Sequence, residues 1–177
     1  MVTAAELLSS AAFRDGKVTQ AFPSFGSERT GAPVIAFCRI DTIPIRSREP
    51  VSHPDVVLIQ DSTLLHHVNV FSGLSDKGIV LLNSTRKVED LGLKDWMLQH
   101  PDVQVYSFPA SDLAERHLGR PMANVGMVAG FAAVTGAITK DSIEYAIKKK
   151  FKGKMGELNA VVASEAFEYV SSHIVRG

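Results

Sequence analysis

The segment Ser24-Phe25-Gly26-Ser27-Glu28-Arg29-Thr30-Gly31 carries the most chemistry of any stretch in the chain. Its two glycines allow backbone geometries closed to other residues and let a ligand approach the main chain closely. Arg29 offers a planar, bidentate donor suited to phosphate or carboxylate. Glu28 is placed to orient that arginine or to join a proton network. A plainer reading fits the same residues: a polar hairpin connection whose charges are simply solvated and add little. Residue types alone leave both open.

The other candidates are weaker. Asp61 and Asn83 end two apolar runs, and ligands of open α/β sheets sit outside the carboxyl ends of strands. The favoured reading for both is that they cap the helix or turn that follows. His66 and His67 are adjacent, so on a helix they point about 100° apart and cannot face one metal from the same stripe. His53, His100, His117 and His173 are scattered, with no carboxylate–histidine spacing of a metalloenzyme. Cys38, between Phe37 and Arg39, reads as a buried and inert thiol. Lys148, Lys149 and Lys150, with Lys152 and Lys154, form the one strong basic cluster. It suits an acidic partner or an anionic cofactor tail, but more commonly such a run is the solvated C-terminal end of a helix. There is no Gly-x-Ser-x-Gly elbow, P-loop or Gly-x-Gly-x-x-Gly. A self-contained nucleophile, base and orienting group is missing, so no catalytic residue and no metal ligand is assigned.

These residues need elements to hold them. Thr3 and Glu6 form a capping-box pattern for a first helix that Gly16 ends. Residues 17–22 read as a strand, 23–31 as a loop, and 34–40 as a β-branched strand. Residues 42–45 are expected to pair nearby, with Pro44 marking an edge or bend. Residues 55–61, 78–83 and 103–108 are continuous apolar runs, the pattern of a parallel sheet covered on both faces. Helices are expected at 62–69, 94–99 and 111–118. Another runs from Pro121 to about Val134, and two more cover 140–149 and 155–174. Gly126 and Gly130, four apart, allow a close backbone contact, and Gly136 suits a helix C-terminus. The fold class is α/β: a three-layer sandwich with a mainly parallel central sheet and a helical C-terminal third, all in one domain over 1–177.

Bulk properties narrow the function. The 177 residues suit one domain with a sizeable core, and 45% hydrophobic content argues against disorder. Nineteen basic residues balance nineteen acidic ones. Neutrality argues against a nucleic-acid binder and favours association, as in a subunit. A single cysteine excludes a disulfide framework and a thiolate zinc or iron–sulfur site. No apolar run is long enough to span a bilayer, and the first residues lack the basic region of a signal peptide, so a cytoplasmic location is expected.

Phe25-Gly26-Ser27-Glu28-Arg29-Thr30-Gly31-Ala32-Pro33-Val34, followed by Ala36-Phe37, Arg39 and Ile40, closely resembles a stretch found in gamma subunits of 2-oxoacid:acceptor oxidoreductases. Ile43-Pro44-Ile45-Arg46, Pro54-Asp55-Val56-Val57 and Asn83-Ser84 extend the match. So do Asn124 and the small residues up to Gly136, then Phe151 and Asn159. Members of the family usually open with a strand and a glycine-rich loop. Here the resemblance starts at Val2, so the role of that loop is not carried over; the start is either misassigned or truly short.

The resemblance implies a complex that converts a 2-oxo acid and coenzyme A into acyl-CoA and CO2. It implies thiamine diphosphate with Mg held by alpha and beta subunits, and iron–sulfur clusters including those of a ferredoxin-like delta subunit. This chain would bind no cofactor alone. Ser24, Phe25, Gly26, Glu28, Arg29, Gly31 and Asn124 are implied to border the coenzyme A approach or a subunit interface. Arg29 would contact a phosphate or fix an intersubunit carboxylate. The overall look is similar to phenylglyoxylate-oxidising members, which form benzoyl-CoA and pass electrons through a flavin (FAD) subunit to NAD. Pyruvate or branched-chain 2-oxoacid:ferredoxin members are the alternative, and a stand-alone nucleotide- or CoA-binding module is a third reading.

Overall fold

The structure, a computed structural model, describes residues 1–24 and 33–174. Its first helix, α1 (Val2–Arg14), buries Ala4, Ala5, Leu7, Leu8, Ala11 and Ala12, a stripe at helical spacing. The capping box expected of Thr3 and Glu6 does not form. Met1 takes the cap position and its carbonyl accepts from the Ala5 N–H, which puts Thr3 inside the first turn. Strands β1 (Val18–Pro23) and β2 (Ala36–Asp41) pair antiparallel, Val18 opposite Asp41 and Pro23 opposite Ala36.

The expected pairing of residues 42–45 is absent. Asp41 Oδ1 accepts from the N–H groups of Thr42 (2.7 Å) and Ile43 (3.3 Å), which turns the chain as soon as β2 ends. Three further strands, β3 (Val56–Ile59), β4 (Ile79–Asn83) and β5 (Gln104–Phe108), form a parallel sheet in the order β3-β4-β5. The strands therefore divide, among the described residues, into a parallel three-stranded sheet and a separate hairpin, where one mainly parallel sheet was expected.

The parallel sheet is the middle layer. Alternation on the central strand shows why: Leu81 faces the helices, whereas Val80 and Leu82 face the other way, and all three are fully buried. The far side is covered by Leu91, Leu93, Trp96 and Phe71. These come from a 3-10 turn (Val88–Leu91), from α2 (Lys94–Gln99) and from the chain around residue 71. The helix expected at 62–69 is a 3-10 turn over Ser62–His66. Asp61 Oδ1 accepts from the Thr63 N–H (3.0 Å) and Thr63 Oγ1 (2.7 Å), a local closure that competes with a longer helix.

The helical layer holds α3 (Ala110–Leu118), α4 (Ala123–Thr135), α5 (Lys140–Lys150) and α6 (Gly153–His173), with α1. Helix α4 is buried on nearly every side, between α3, α6, α1 and the sheet. Pro121 precedes this helix by two residues and does not start it; Met122 is the cap. Gly136 ends it in the left-handed conformation at φ 63°, as the sequence suggests. A Cβ on Gly130 would stand 2.5 Å from the Phe108 ring, and one on Gly126 would stand 3.0 Å from Ala110 Cβ. The four-residue spacing thus seats α4 against the end of β5 and the start of α3.

A polar clamp fixes α1 to this layer. The Asp15 carboxylate accepts from the Thr139 N–H (2.7 Å), Thr139 Oγ1 (2.8 Å) and Ser142 Oγ (2.6 Å) at the start of α5. Partial burial opposes the Asp15 charge, but the hydrogen bonds from Ser142 and Thr139, with Lys17 nearby, outweigh it and hold the carboxyl below its ordinary value of 3.8.

Two outcomes follow. Gly130→Ala should cost about 1–3 kcal/mol, the usual cost of overpacking, and Gly126→Ala less, read from urea midpoints. Equal, negligible costs would mean that the close approach is not required. Because its folded pKa is depressed, Asp15 stabilises the fold above the ordinary carboxylate range and ceases to as pH falls through that depressed value. Asp15→Asn should therefore lower the melting temperature at pH 7 and converge with the parent in strong acid. A pH-independent gap would contradict this.

Candidate functional site

Strands β1 and β2 flank the segment that carries Arg29 in sequence. After the last β1–β2 pair the Ser24 N–H donates to the Ile35 carbonyl (2.9 Å), closing the base of the loop. Below it Phe22 and Phe37 pack with ring centroids 5.4 Å apart, and the Arg39 guanidinium lies 5.7 Å from the Phe22 ring. Arg39 also donates to Gln20 Oε1 (2.8 Å) and to the Glu49 carbonyl (2.6 Å). The base is thus cross-braced between strands. Phe25, Gly26, Glu28, Arg29 and Gly31 lie outside the described residues; Ser24 and Asn124 are described.

Asn124 sits in the first turn of α4 and belongs to a different cluster. Its Oδ1 accepts from Gln60 Nε2 (2.8 Å), just past the end of β3. Asn83, at the end of β4, sends its Nδ2 to the Gln60 carbonyl (2.8 Å) and to Ser111 Oγ (2.8 Å). Its Oδ1 accepts from the Ser111 N–H (3.0 Å). Asn83 therefore caps α3, a helix one strand further along, and not the turn that follows it. This cluster lies at the carboxyl end of the parallel sheet, where α/β folds place ligands. These bonds each join one part of the chain to another, so their role here is to lock β3, β4, α3 and α4 together. Sequence reasoning missed Gln60 and Ser111. Gln60 directly follows β3 and carries the strand-end position that pointed to its neighbour Asp61.

The remaining candidates resolve simply. Asp61 caps the 3-10 turn, and the bonds from the Thr63 side chain and backbone hold its carboxyl below the usual range. Burial pushes the Cys38 thiol up to about 12, so it holds its proton at neutral pH and is neither a nucleophile nor a ready metal ligand. Among the described residues no three or more His, Cys, Asp or Glu side chains stand close enough to share a metal ion. Lys148, Lys149 and Lys150 form the last turn of α5, where cations oppose the helix dipole. Lys148 pairs with Glu144 and Lys150 with Glu6, each at 2.5 Å. No helix among the described residues is long and apolar enough to cross a membrane.

The family model described as pyruvate ferredoxin/flavodoxin oxidoreductase matches residues 1–169. The chain belongs to the pyruvate ferredoxin/flavodoxin oxidoreductase family. Within that family it is similar to the pyruvate synthase subunit PorC of Methanothermobacter thermautotrophicus, at 48% identity over 96% of this chain and 88% of the relative. It is 44% identical to the pyruvate/ketoisovalerate oxidoreductases common subunit gamma of Pyrococcus furiosus, over 94% of this chain and 89% of that one. The crystal structure of pyruvate oxidoreductase subunit PORC from Thermotoga maritima matches with a TM-score of 0.77 at 32% identity, covering 94% of this chain and 88% of that chain. The family expected from the Arg29 loop and the Asn124 helix is confirmed, and so is the α/β architecture with a helical C-terminal third.

Asn83→Ala would leave the Ser111 N–H and the Gln60 carbonyl without this partner in a half-buried site, at a cost of about 1–3 kcal/mol. Asn124→Ala removes one hydrogen bond and should cost less, about 0.5–1.5 kcal/mol. Urea titrations of both variants check the order. A costlier Asn124→Ala would move the centre of the network to the start of α4.

Proposed function

We propose that this chain is the gamma subunit of a 2-oxoacid:ferredoxin oxidoreductase that converts pyruvate or a branched-chain 2-oxo acid, with coenzyme A, into acyl-CoA and CO2. The observation that carries the reading is the family match over residues 1–169, joined to relatives that are themselves PorC or gamma subunits. Oxidation of phenylglyoxylate, with a flavin subunit and NAD as final acceptor, finds no support in the names of these relatives. The pyruvate-class alternative takes its place.

The chain's own chemistry agrees with a supporting role. Its one cysteine has a strongly raised pKa, so it offers no thiolate set for an iron–sulfur cluster. In this reading the clusters sit on companion chains, including a delta subunit. Thiamine diphosphate with Mg, held by alpha and beta subunits, supplies the means of decarboxylation when bound. What this chain adds is position. Strands β1 and β2 flank the segment with Phe25, Gly26, Glu28, Arg29 and Gly31 in sequence, and the Gln60–Asn83–Asn124 cluster locks β3, β4, α3 and α4 together. Arg29 reaches either a coenzyme A phosphate or a carboxylate of a companion subunit. Residues 1–177 act as one gamma domain, and a cytoplasmic location goes with the assignment.

The test is purification from the native source through a tag on this chain. Larger chains bearing thiamine diphosphate and iron–sulfur clusters should co-purify and oxidise pyruvate or 2-oxoisovalerate with ferredoxin. A well-folded chain that purifies alone would defeat the proposal. In the assembled complex, Arg29→Ala should raise the KM for coenzyme A or weaken assembly. A variant with both unchanged would remove the loop from either role.

A further inference from the structure

The face shared by α1 and α5 carries exposed aromatic rings beside cations, one of which, Arg14, also donates to the Asp141 carbonyl (2.6 Å). Phe13, on the last turn of α1, is 72% exposed, and Tyr145, on α5, is 46% exposed. The Arg14 guanidinium lies 4.5 Å from the centroid of the Tyr145 ring, and Lys149 Nζ lies 6.0 Å from it. Phe13 and Lys149 also line one groove of about 330 Å³ with Ser9, Ser10, Thr19, Ala21 and Glu6, whose carboxylate is taken up by Lys150. The aromatic rings and their flanking cations therefore form one continuous surface.

Its charge is unbalanced. Five lysines fall within residues 148–154. Lys148 and Lys150 are answered by Glu144 and Glu6, whereas Lys149 lies over the Tyr145 ring. Arg14 and Lys149 thus put positive charge directly beside the exposed rings. Large amphipathic rings flanked by arginine are the composition of protein–protein hot spots. Exposed cations in excess set the sign of what docks there.

We propose that the α1–α5 face, built on Phe13, Arg14, Tyr145 and Lys149, is a docking surface for an acidic, apolar-bearing face of a companion protein subunit. The proposal rests on the subunit assignment above and names the surface through which that assembly is held. The rings bury against the partner's apolar side chains. Partner carboxylates take the place of water around Lys149 and its neighbours, and Arg14 stays stacked on Tyr145.

The experiment titrates the purified, labelled chain into the companion subunits stripped of it, at low and at high salt. The parent is compared with the Phe13→Ala/Tyr145→Ala double variant, with Lys149→Glu, and with Leu98→Ala. Leu98 is a comparably exposed residue of α2, in the layer across the sheet. The aromatic double variant should weaken binding at least tenfold while keeping the parent's circular dichroism and melting temperature. Lys149→Glu should weaken it severalfold at low salt and less at high salt. Leu98→Ala should bind as the parent does. Parent-like affinity of the first two variants, or equal weakening by Leu98→Ala, would overturn the proposal. Loss of self-association in the isolated double variant, with unchanged affinity for the companions, would also overturn it and give the face to a second copy of the chain. If the parent fails to bind the companions at all, the subunit assignment falls too; if the parent binds and the variants bind equally, only the docking face falls.

Discussion

The approach of α4 to the sheet is the constraint on which the rest of the structure depends. Gly130 leaves room that the Phe108 ring occupies, at a distance no side chain there would allow, and Gly126 leaves a close fit against Ala110 that a side chain would tighten. This seats a helix buried on nearly every side at the centre of the helical layer. Helix α6 packs along it, α3 and α5 flank it, and α1 closes the layer. Helix α1 in turn packs against both strands of the hairpin, so β1 and β2 are held indirectly by contacts that begin at two glycines. Interiors of this density transmit small volume changes, which is why a single methyl at Gly130 should be felt.

The polar interior agrees with a scaffold and not a reaction centre. Asn83 and Gln60 join strand ends to helix starts, and Asp15 joins α1 to α5. The thiol of Cys38 is kept protonated by its surroundings. Groups that drive chemistry are usually poised near neutrality or left free to meet a substrate; the ones described here are bound to the fold. Similarity to relatives that are named as subunits gives that arrangement a purpose, since the reacting groups can reside on neighbours.

Much of this was legible from local pattern. The helical stripe of α1, the apolar run of β4, the short α2 and the glycine ending α4 follow from spacing and turn chemistry that act within a few residues. The departures have local and long-range causes. Met1 displaced the capping box because the helix starts two residues earlier than the Thr3 pattern implies. Asp41 and Asp61 folded their side chains onto the next N–H groups, ending β2 and shortening the expected helix after β3. The division of the strands into a sheet and a separate hairpin depends on which strands meet in space, and alternation along one strand does not encode that. For the same reason Gln60 escaped notice: its partners Asn83 and Asn124 lie 23 and 64 residues away. The loop residues themselves were singled out by type and family resemblance, and their reading rests there.

The central claim is that this polypeptide cannot run the reaction unaided and serves a cofactor housed by its neighbours. The most direct measurement supplies the isolated chain with pyruvate, coenzyme A, thiamine diphosphate, Mg and ferredoxin, and follows acyl-CoA formation and ferredoxin reduction. The account predicts no product until the companion subunits are added. Any turnover by the chain alone would contradict it.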